Sequence, residues 1–94
     1  MNGQICISSS LDAGERTCFP NSSIRLGVVF SESNDQMHFS AEFTTLNSEP
    51  IVFDIVHNVE IKFINQTDTK KLASSGGVFD IYEGAKKIGT GRFD

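Results

Sequence analysis

The chain has 94 residues, a formal net charge of −4 at pH 7, and 38% hydrophobic and 21% charged side chains. This length favours one domain with one core, and the composition excludes a disordered chain. The β-branched residues Ile, Val and Thr number 21, whereas Ala and Leu together number 8. Stiff β-branched side chains favour strands, so we predict a small β protein and not an all-helical bundle. The chain is also short for most enzymes, and no apolar run approaches the ~20 residues of a membrane-spanning helix.

Charge is divided unevenly along the chain. Residues 1–60 carry two basic and eight acidic side chains, a net charge of −6, and residues 61–94 carry six basic and four acidic ones, a net charge of +2. A basic C-terminal third is typical of a surface that meets an anionic partner, although a solvated surface has the same composition. The pI near 5.0 argues against non-specific binding of nucleic acid, which depends on many phosphate contacts. The first four residues do not resemble a secretory signal, so we expect a cytoplasmic protein.

Cys6 and Cys18 stand twelve positions apart and flank a Ser-rich stretch. A disulfide across such a segment is geometrically feasible, but cysteines in a cytosolic chain are more commonly free, and both states stay open. His38 and His57 are isolated, and neither a Cys-x-x-Cys nor a His-x-x-x-His spacing occurs. We therefore expect no metal site and no cofactor.

Seven short segments have the character of strands. In chain order they are residues 4–7, 24–30, 37–45, 51–55, 59–63, 78–83 and 86–93. The clearest is 37–45, where Phe39, Ala41 and Phe43 alternate with polar side chains. Ile51, Phe53 and Ile55 share a face of the fourth segment. At His57 and Asn58, either a tight hairpin or one bent strand is compatible with the sequence.

The segments between these strands are polar. Residues 8–15, 31–36 and 65–77 predict loops, and no stretch carries a helical stripe. Short strands separated by turns favour a small antiparallel barrel or a sandwich close to it, because closing the sheet removes exposed strand edges.

Residues 78–93 form the most distinctive segment of the sequence. Gly84 permits the positive φ of a tight turn between two strands. Gly89 and Gly91 alternate on one face of the last strand, where glycines mark a bulge, a sharp bend or a close backbone approach. Thr90 faces the opposite way.

This hairpin resembles the last hairpin of elongation factor Tu, in the third domain of that family. The family pattern Phe-x-Ile-x-Glu-Gly-Gly-x-x-Val-Gly-x-Gly is matched by Phe79, Ile81, Glu83, Gly84, Gly89 and Gly91. Ile88 replaces Val, Ala85 replaces the second Gly, and Lys86 stands where the family has Arg. The resemblance implies a closed six-stranded antiparallel Greek-key barrel over residues 24–93, with residues 1–20 as an extra N-terminal strand and loop.

The resemblance also implies a function. The third domain of elongation factor Tu helps to bind aminoacyl-tRNA and contacts the nucleotide-exchange factor. Carried over by position, the partner-binding residues are Lys86, Lys87, Gly89, Thr90, Gly91 and Arg92. No Gly-x-x-x-x-Gly-Lys-Ser/Thr motif is present. We therefore expect a non-enzymatic binding module, a monomer or weak homodimer, that binds a protein partner or, as the second choice, tRNA or another RNA.

Two other hypotheses are compatible with the sequence. One is a secreted or surface β-sandwich for adhesion or recognition, held by a Cys6–Cys18 disulfide. The other is a small hydrolase, which would need His38 or His57 beside a Ser or Cys, but no Gly-x-Ser-x-Gly motif occurs.

Overall fold

A computed structural model gives the structure of the chain and describes residues 1–30, 38–64 and 77–94. The described part contains eight strands and one four-residue helix. In chain order these are β1 (Asn2–Ile7), α1 (Ser9–Asp12), β2 (Cys18–Phe19), β3 (Ser23–Phe30), β4 (His38–Thr45), β5 (Ile51–Val52), β6 (His57–Ile64), β7 (Val78–Glu83) and β8 (Lys86–Phe93). The loop predicted at residues 31–36 lies outside the described residues, as does the loop at 65–77 except for Gly77.

Six strands form a closed antiparallel barrel in the order β1-β6-β4-β3-β7-β8, and β8 pairs back to β1. Strands β3, β4 and β6 are successive neighbours, and β7 returns to lie beside β3. Three successive neighbouring strands with the fourth beside the first make a Greek key. The predicted fold class, a small closed six-stranded antiparallel Greek-key barrel, is confirmed.

The barrel begins earlier in the chain than the resemblance implied. Strand β1, expected to be an extra strand outside residues 24–93, pairs with β6 on one side and with β8 on the other. Its Ile5 and Ile7 point inward and are almost fully buried. Because β1 supplies the closing pairings, β6 and β8 have no open edge there.

The barrel interior is filled by the inward-facing side chains that alternate along each strand. The central ones are aromatic: Phe43 stacks on Phe79 with ring centroids 6.1 Å apart, and Phe79 lies 5.0 Å from Phe93. The buried core residues of the barrel strands are Ile5, Ile7, Leu26, Val28, Phe30, Ala41, Phe43, Val59, Ile61, Phe63, Phe79, Ile81 and Ile88. The alternation read from residues 37–45 therefore identified the inward face of β4.

The segment between β4 and β6 differs from the prediction. Strand β5 is only Ile51–Val52, and it pairs with β2 in a separate two-stranded sheet outside the barrel. Asp54 turns the chain with a φ of 64°, and its carboxylate accepts hydrogen bonds from the Ser9 amide at 3.0 Å and the Ser9 hydroxyl at 2.6 Å. The turn thus precedes His57, and Ile55 is 51% exposed instead of sharing the buried face of Ile51.

The Ser-rich stretch also differs, because part of it is helical. The Ser8 side chain caps α1 by accepting a hydrogen bond from the Leu11 amide, and Ala13 ends the helix in the left-handed conformation with a φ of 54°. A serine at this position satisfies amides that the first helical turn leaves unpaired. No helix in the described part of the chain is long and apolar enough to cross a membrane.

Candidate functional site

The C-terminal hairpin has the predicted bounds and the predicted turn. Gly84 has a φ of 63°. Ile81 pairs with Gly89 but Tyr82 pairs with Lys87, so Ile88 is the extra residue of a β-bulge. The bulge that the glycine pattern allowed is therefore present in this hairpin.

The two glycines of β8 serve the closing of the barrel. A Cβ at Gly89 would lie within contact distance of the Cys6 carbonyl oxygen and 3.0 Å from the Ile7 Cα. A Cβ at Gly91 would lie 2.5 Å from the Phe79 ring. Real side chains do not tolerate such distances, so only glycine lets β1 and Phe79 approach this closely. Gly89 is buried, and it offers no side chain or open surface to a partner.

The predicted basic residues are engaged within the chain. The Lys86 amine donates to the Asp12 carbonyl oxygen, and the Lys87 amine lies 3.2 Å from the Asp80 carboxylate. The Arg92 Nε donates to the Gln4 side-chain oxygen at 2.9 Å. Pairs as exposed as Lys87–Asp80 contribute little to stability, so a partner could displace them, but the hairpin does not present a row of unpaired cations.

A charged cluster that the sequence analysis did not identify fastens the start of this hairpin. The Arg16 guanidinium bonds Asp12 and also the Glu83 carboxylate, at 2.7 Å and 3.1 Å, and it lies 5.0 Å from the Phe19 ring centroid. Hydrogen bonds from Arg16 lower the pKa of Asp12, and hydrogen bonds to Glu83 and then Asp12 raise the pKa of Arg16. The cluster ties residues 8–17 to the β7–β8 turn. The only sequence signal for it was the four-residue spacing of Asp12 and Arg16.

Three of the six predicted residues line an open pocket on the outer face of β1 and β8, which we call the β8 pocket. Its volume is about 310 Å³. The register places Cys6 opposite Thr90 and Gln4 opposite Arg92 on this face. The lining residues are Gln4, Ile5, Cys6, Val56, Val78, Thr90, Gly91 and Arg92. The predicted Thr90, Gly91 and Arg92 therefore come together with apolar side chains from other segments.

A second pocket, the β5 pocket, lies next to the first. Its volume is about 410 Å³, and its lining residues are Leu46, Asn47, Glu49, Val52, Ile55, Val56, His57 and Asn58. Val56 lines both pockets, so they form one continuous surface, which we call the Val56 surface. The His57 Nε2 lies 3.0 Å from both the amide nitrogen and the carbonyl oxygen of Val52, and the ring thereby covers the outer edge of β5.

Exposed apolar side chains are concentrated on the Val56 surface. Of the seven large hydrophobic side chains that are exposed in the described part of the chain, five line one of the two pockets. They are Leu46, Val52, Ile55, Val56 and Val78, and Val56 is the most exposed at 64%. Scattered apolar residues are ordinary on a protein surface, whereas a contiguous patch with a polar rim marks an interaction site. None of the five is among the residues predicted to bind a partner, and two of them, Val52 and Ile55, lie in the segment 51–55 that was predicted to be a strand.

The thiols of Cys6 and Cys18 are both free. Cys6 faces outward in the β8 pocket, and Cys18 belongs to the short β2 strand. The disulfide of the alternative hypothesis is therefore not formed, and the closed barrel is not the sandwich of that hypothesis.

The two histidines contact an aromatic ring and the backbone within the described residues. The His38 ring makes an edge contact with Tyr82 at 5.1 Å, and His57 bonds the Val52 backbone. Within the ranges that the structure describes, no group of three or more His, Cys, Asp or Glu side chains could hold a metal ion.

The structure is a small Greek-key barrel with a group of exposed apolar side chains around Val56. No protein-family model matches the sequence, and no curated protein is significantly similar to it.

Proposed function

We propose that the protein is a non-enzymatic binding module that binds a protein partner through the Val56 surface. The observation that supports this proposal is that most exposed large apolar side chains of the described chain line two adjacent pockets there. Burial of an exposed apolar side chain stabilises a complex by roughly 25 cal/mol per Å² of buried apolar area, so a partner that covers this surface binds more tightly. Charged residues at its rim would orient the partner.

The resemblance to the third domain of elongation factor Tu supports the same proposal. That domain contacts another protein, the exchange factor, and the resembling hairpin contributes Thr90, Gly91 and Arg92 to the β8 pocket. The alternative reading of the resemblance is binding of tRNA through the hairpin. It has less support, because Lys86 and Lys87 are engaged with Asp12 and Asp80.

The test compares Val56→Asp with the matched control Leu11→Asp. Leu11 is also exposed, at 42%, but lines neither pocket. A protein that the wild type captures from native lysate is identified and purified. Its affinity is then measured for the wild type, Val56→Asp and Leu11→Asp. We expect Val56→Asp to weaken binding about tenfold or more, since a buried charge replaces an apolar anchor, and Leu11→Asp to leave it unchanged.

Equal affinities of the wild type and Val56→Asp would refute the proposal. A gel shift with bulk tRNA at two salt concentrations is the companion measurement. Salt-sensitive binding that is lost in Lys87→Glu but kept in Val56→Asp would establish the RNA alternative instead.

A further inference from the structure

The shape and charge of the Val56 surface indicate what kind of partner it fits. We infer that the partner presents an extended peptide segment with two apolar side chains, one in each pocket, an acidic residue beside Arg92 and a basic residue beside Glu49. This inference rests on the proposed function and specifies the chemistry of its partner.

The Val56 surface is divided into two pockets. Their volumes, about 310 and 410 Å³, lie at the lower end of the range for ligand sites. Both are open, and Val56 stands between them. An extended chain can cross Val56 and place one apolar side chain on either side of it, because alternate side chains of a strand-like segment point the same way.

Each of the two pockets has one charged side chain in its lining. In the β8 pocket, Gln4 holds the Arg92 Nε, while the two Nη atoms have no hydrogen-bond partner among the described residues. A guanidinium fixed in this way presents a fork that suits a carboxylate. In the β5 pocket, Glu49 is exposed and its carboxylate forms no ion pair within the described ranges. The surface is therefore positive at one end and negative at the other, and a complementary segment has the opposite polarity.

Other occupants fit the Val56 surface less well than an extended peptide. A second copy of the chain would present the same two depressions, and a concave surface does not fill another concave surface. Nucleic acid would meet apolar side chains and the negative charge of Glu49, neither of which attracts phosphate. A segment with protruding apolar side chains fits both the shape and the charges.

The experiment is selection of a displayed library of short random peptides on the wild-type protein, followed by affinity measurements with a synthetic peptide of the selected sequence. We expect the selected sequences to share two apolar positions, an acidic residue on one side of them and a basic residue on the other. Arg92→Glu and Glu49→Lys should each lower the affinity for the synthetic peptide about tenfold or more. Reversing only the acidic residue of the peptide should restore its affinity for Arg92→Glu and not for Glu49→Lys.

The controls separate this inference from the proposed function. Leu11→Asp should bind the synthetic peptide like the wild type, and circular dichroism confirms that each variant is folded. Failure to select any peptide, or selected sequences without the charge pattern, would overturn the inference. In that case, if the binding of a purified protein partner is still weakened by Val56→Asp, the proposed function stands. Sedimentation that shows a homodimer dissociated by Val56→Asp would assign the surface to a second copy and would also overturn the inference.

Discussion

Replacing Gly89 with alanine tests how closely β1 and β8 approach where the barrel closes. The added methyl group would meet the Cys6 carbonyl oxygen and come within 3.0 Å of the Ile7 Cα and 3.1 Å of the Ile7 Cδ1. Two of these are backbone atoms of a strand that pairs with β8 along five positions. They cannot move aside as a flexible side chain could, so we expect the pairing of β1 with β8 to open locally.

The magnitude follows from two opposing contributions. Overpacking a filled site costs about 1–3 kcal/mol, and the upper half of that range applies here because the clash is with backbone. Alanine also restricts the unfolded chain, which stabilises the protein by about 0.4–1 kcal/mol. The net expectation is a loss of about 2 kcal/mol in the free energy of unfolding. For a domain of this size that lowers the melting temperature by about 8–16 °C.

The assay is urea unfolding followed by far-ultraviolet circular dichroism, with Gly27→Ala as the matched control. Gly27 lies in β3 of the same barrel, and a Cβ there would have only ordinary contacts, the nearest being the Tyr82 carbonyl oxygen at 3.4 Å. We expect Gly27→Ala to be neutral or to stabilise by about 0.4–1 kcal/mol. If Gly89→Ala unfolds within about 0.5 kcal/mol of the wild type, or if both variants lose the same stability, the reasoning about the β1–β8 approach is wrong.

Three further predictions concern the core, the Asp12–Arg16 ion pair and the two cysteines. Phe43→Ala removes a fully buried ring and should cost about 3–5 kcal/mol in urea unfolding; a loss below about 1 kcal/mol would contradict its central position. Asp12→Asn should destabilise the protein at pH 7. Because Arg16 holds the pKa of Asp12 below its usual value of 3.8, the ionised carboxylate stabilises the fold above pH 3.8. This stabilisation is lost as the pH falls through the lower pKa of the folded state, so the unfolding free energies of the wild type and Asp12→Asn should converge in acid. A difference that stays constant with pH would refute the ion pair. Cys6 and Cys18 should both react with a thiol reagent in freshly purified, unfolded protein, and a mass that rises on reduction would show a disulfide.

Much of the fold could be predicted because it depends on local pattern. Strands β7 and β8 begin and end where the alternation of residues 78–83 and 86–93 placed them. Strand β4 shows the predicted buried face, and Gly84 makes the predicted turn. Period-two alternation and a positive-φ glycine are properties of a few neighbouring residues, so the sequence carries them directly.

The errors fall where a distant partner overrides the local pattern. Ile55 alternates with Phe53 as a strand residue would, but the hydrogen bonds of Asp54 to Ser9, forty-five positions away, turn the chain and expose it. A single sequence does not reveal which serine an aspartate will meet. The exposed Ile55 lines the β5 pocket, so this part of the candidate site could not be predicted for the same reason.

The sequence by itself determined that this is a small β protein with a terminal hairpin whose glycines require close packing. The tertiary structure decided that β1 closes the barrel, that Lys86 and Lys87 are engaged within the chain, and that the exposed apolar side chains meet around Val56. The physical reason is that strand character depends on neighbours in sequence. Barrel closure, ion pairing and a binding surface depend on which strands become neighbours in space, and that is settled only when the whole barrel buries its core.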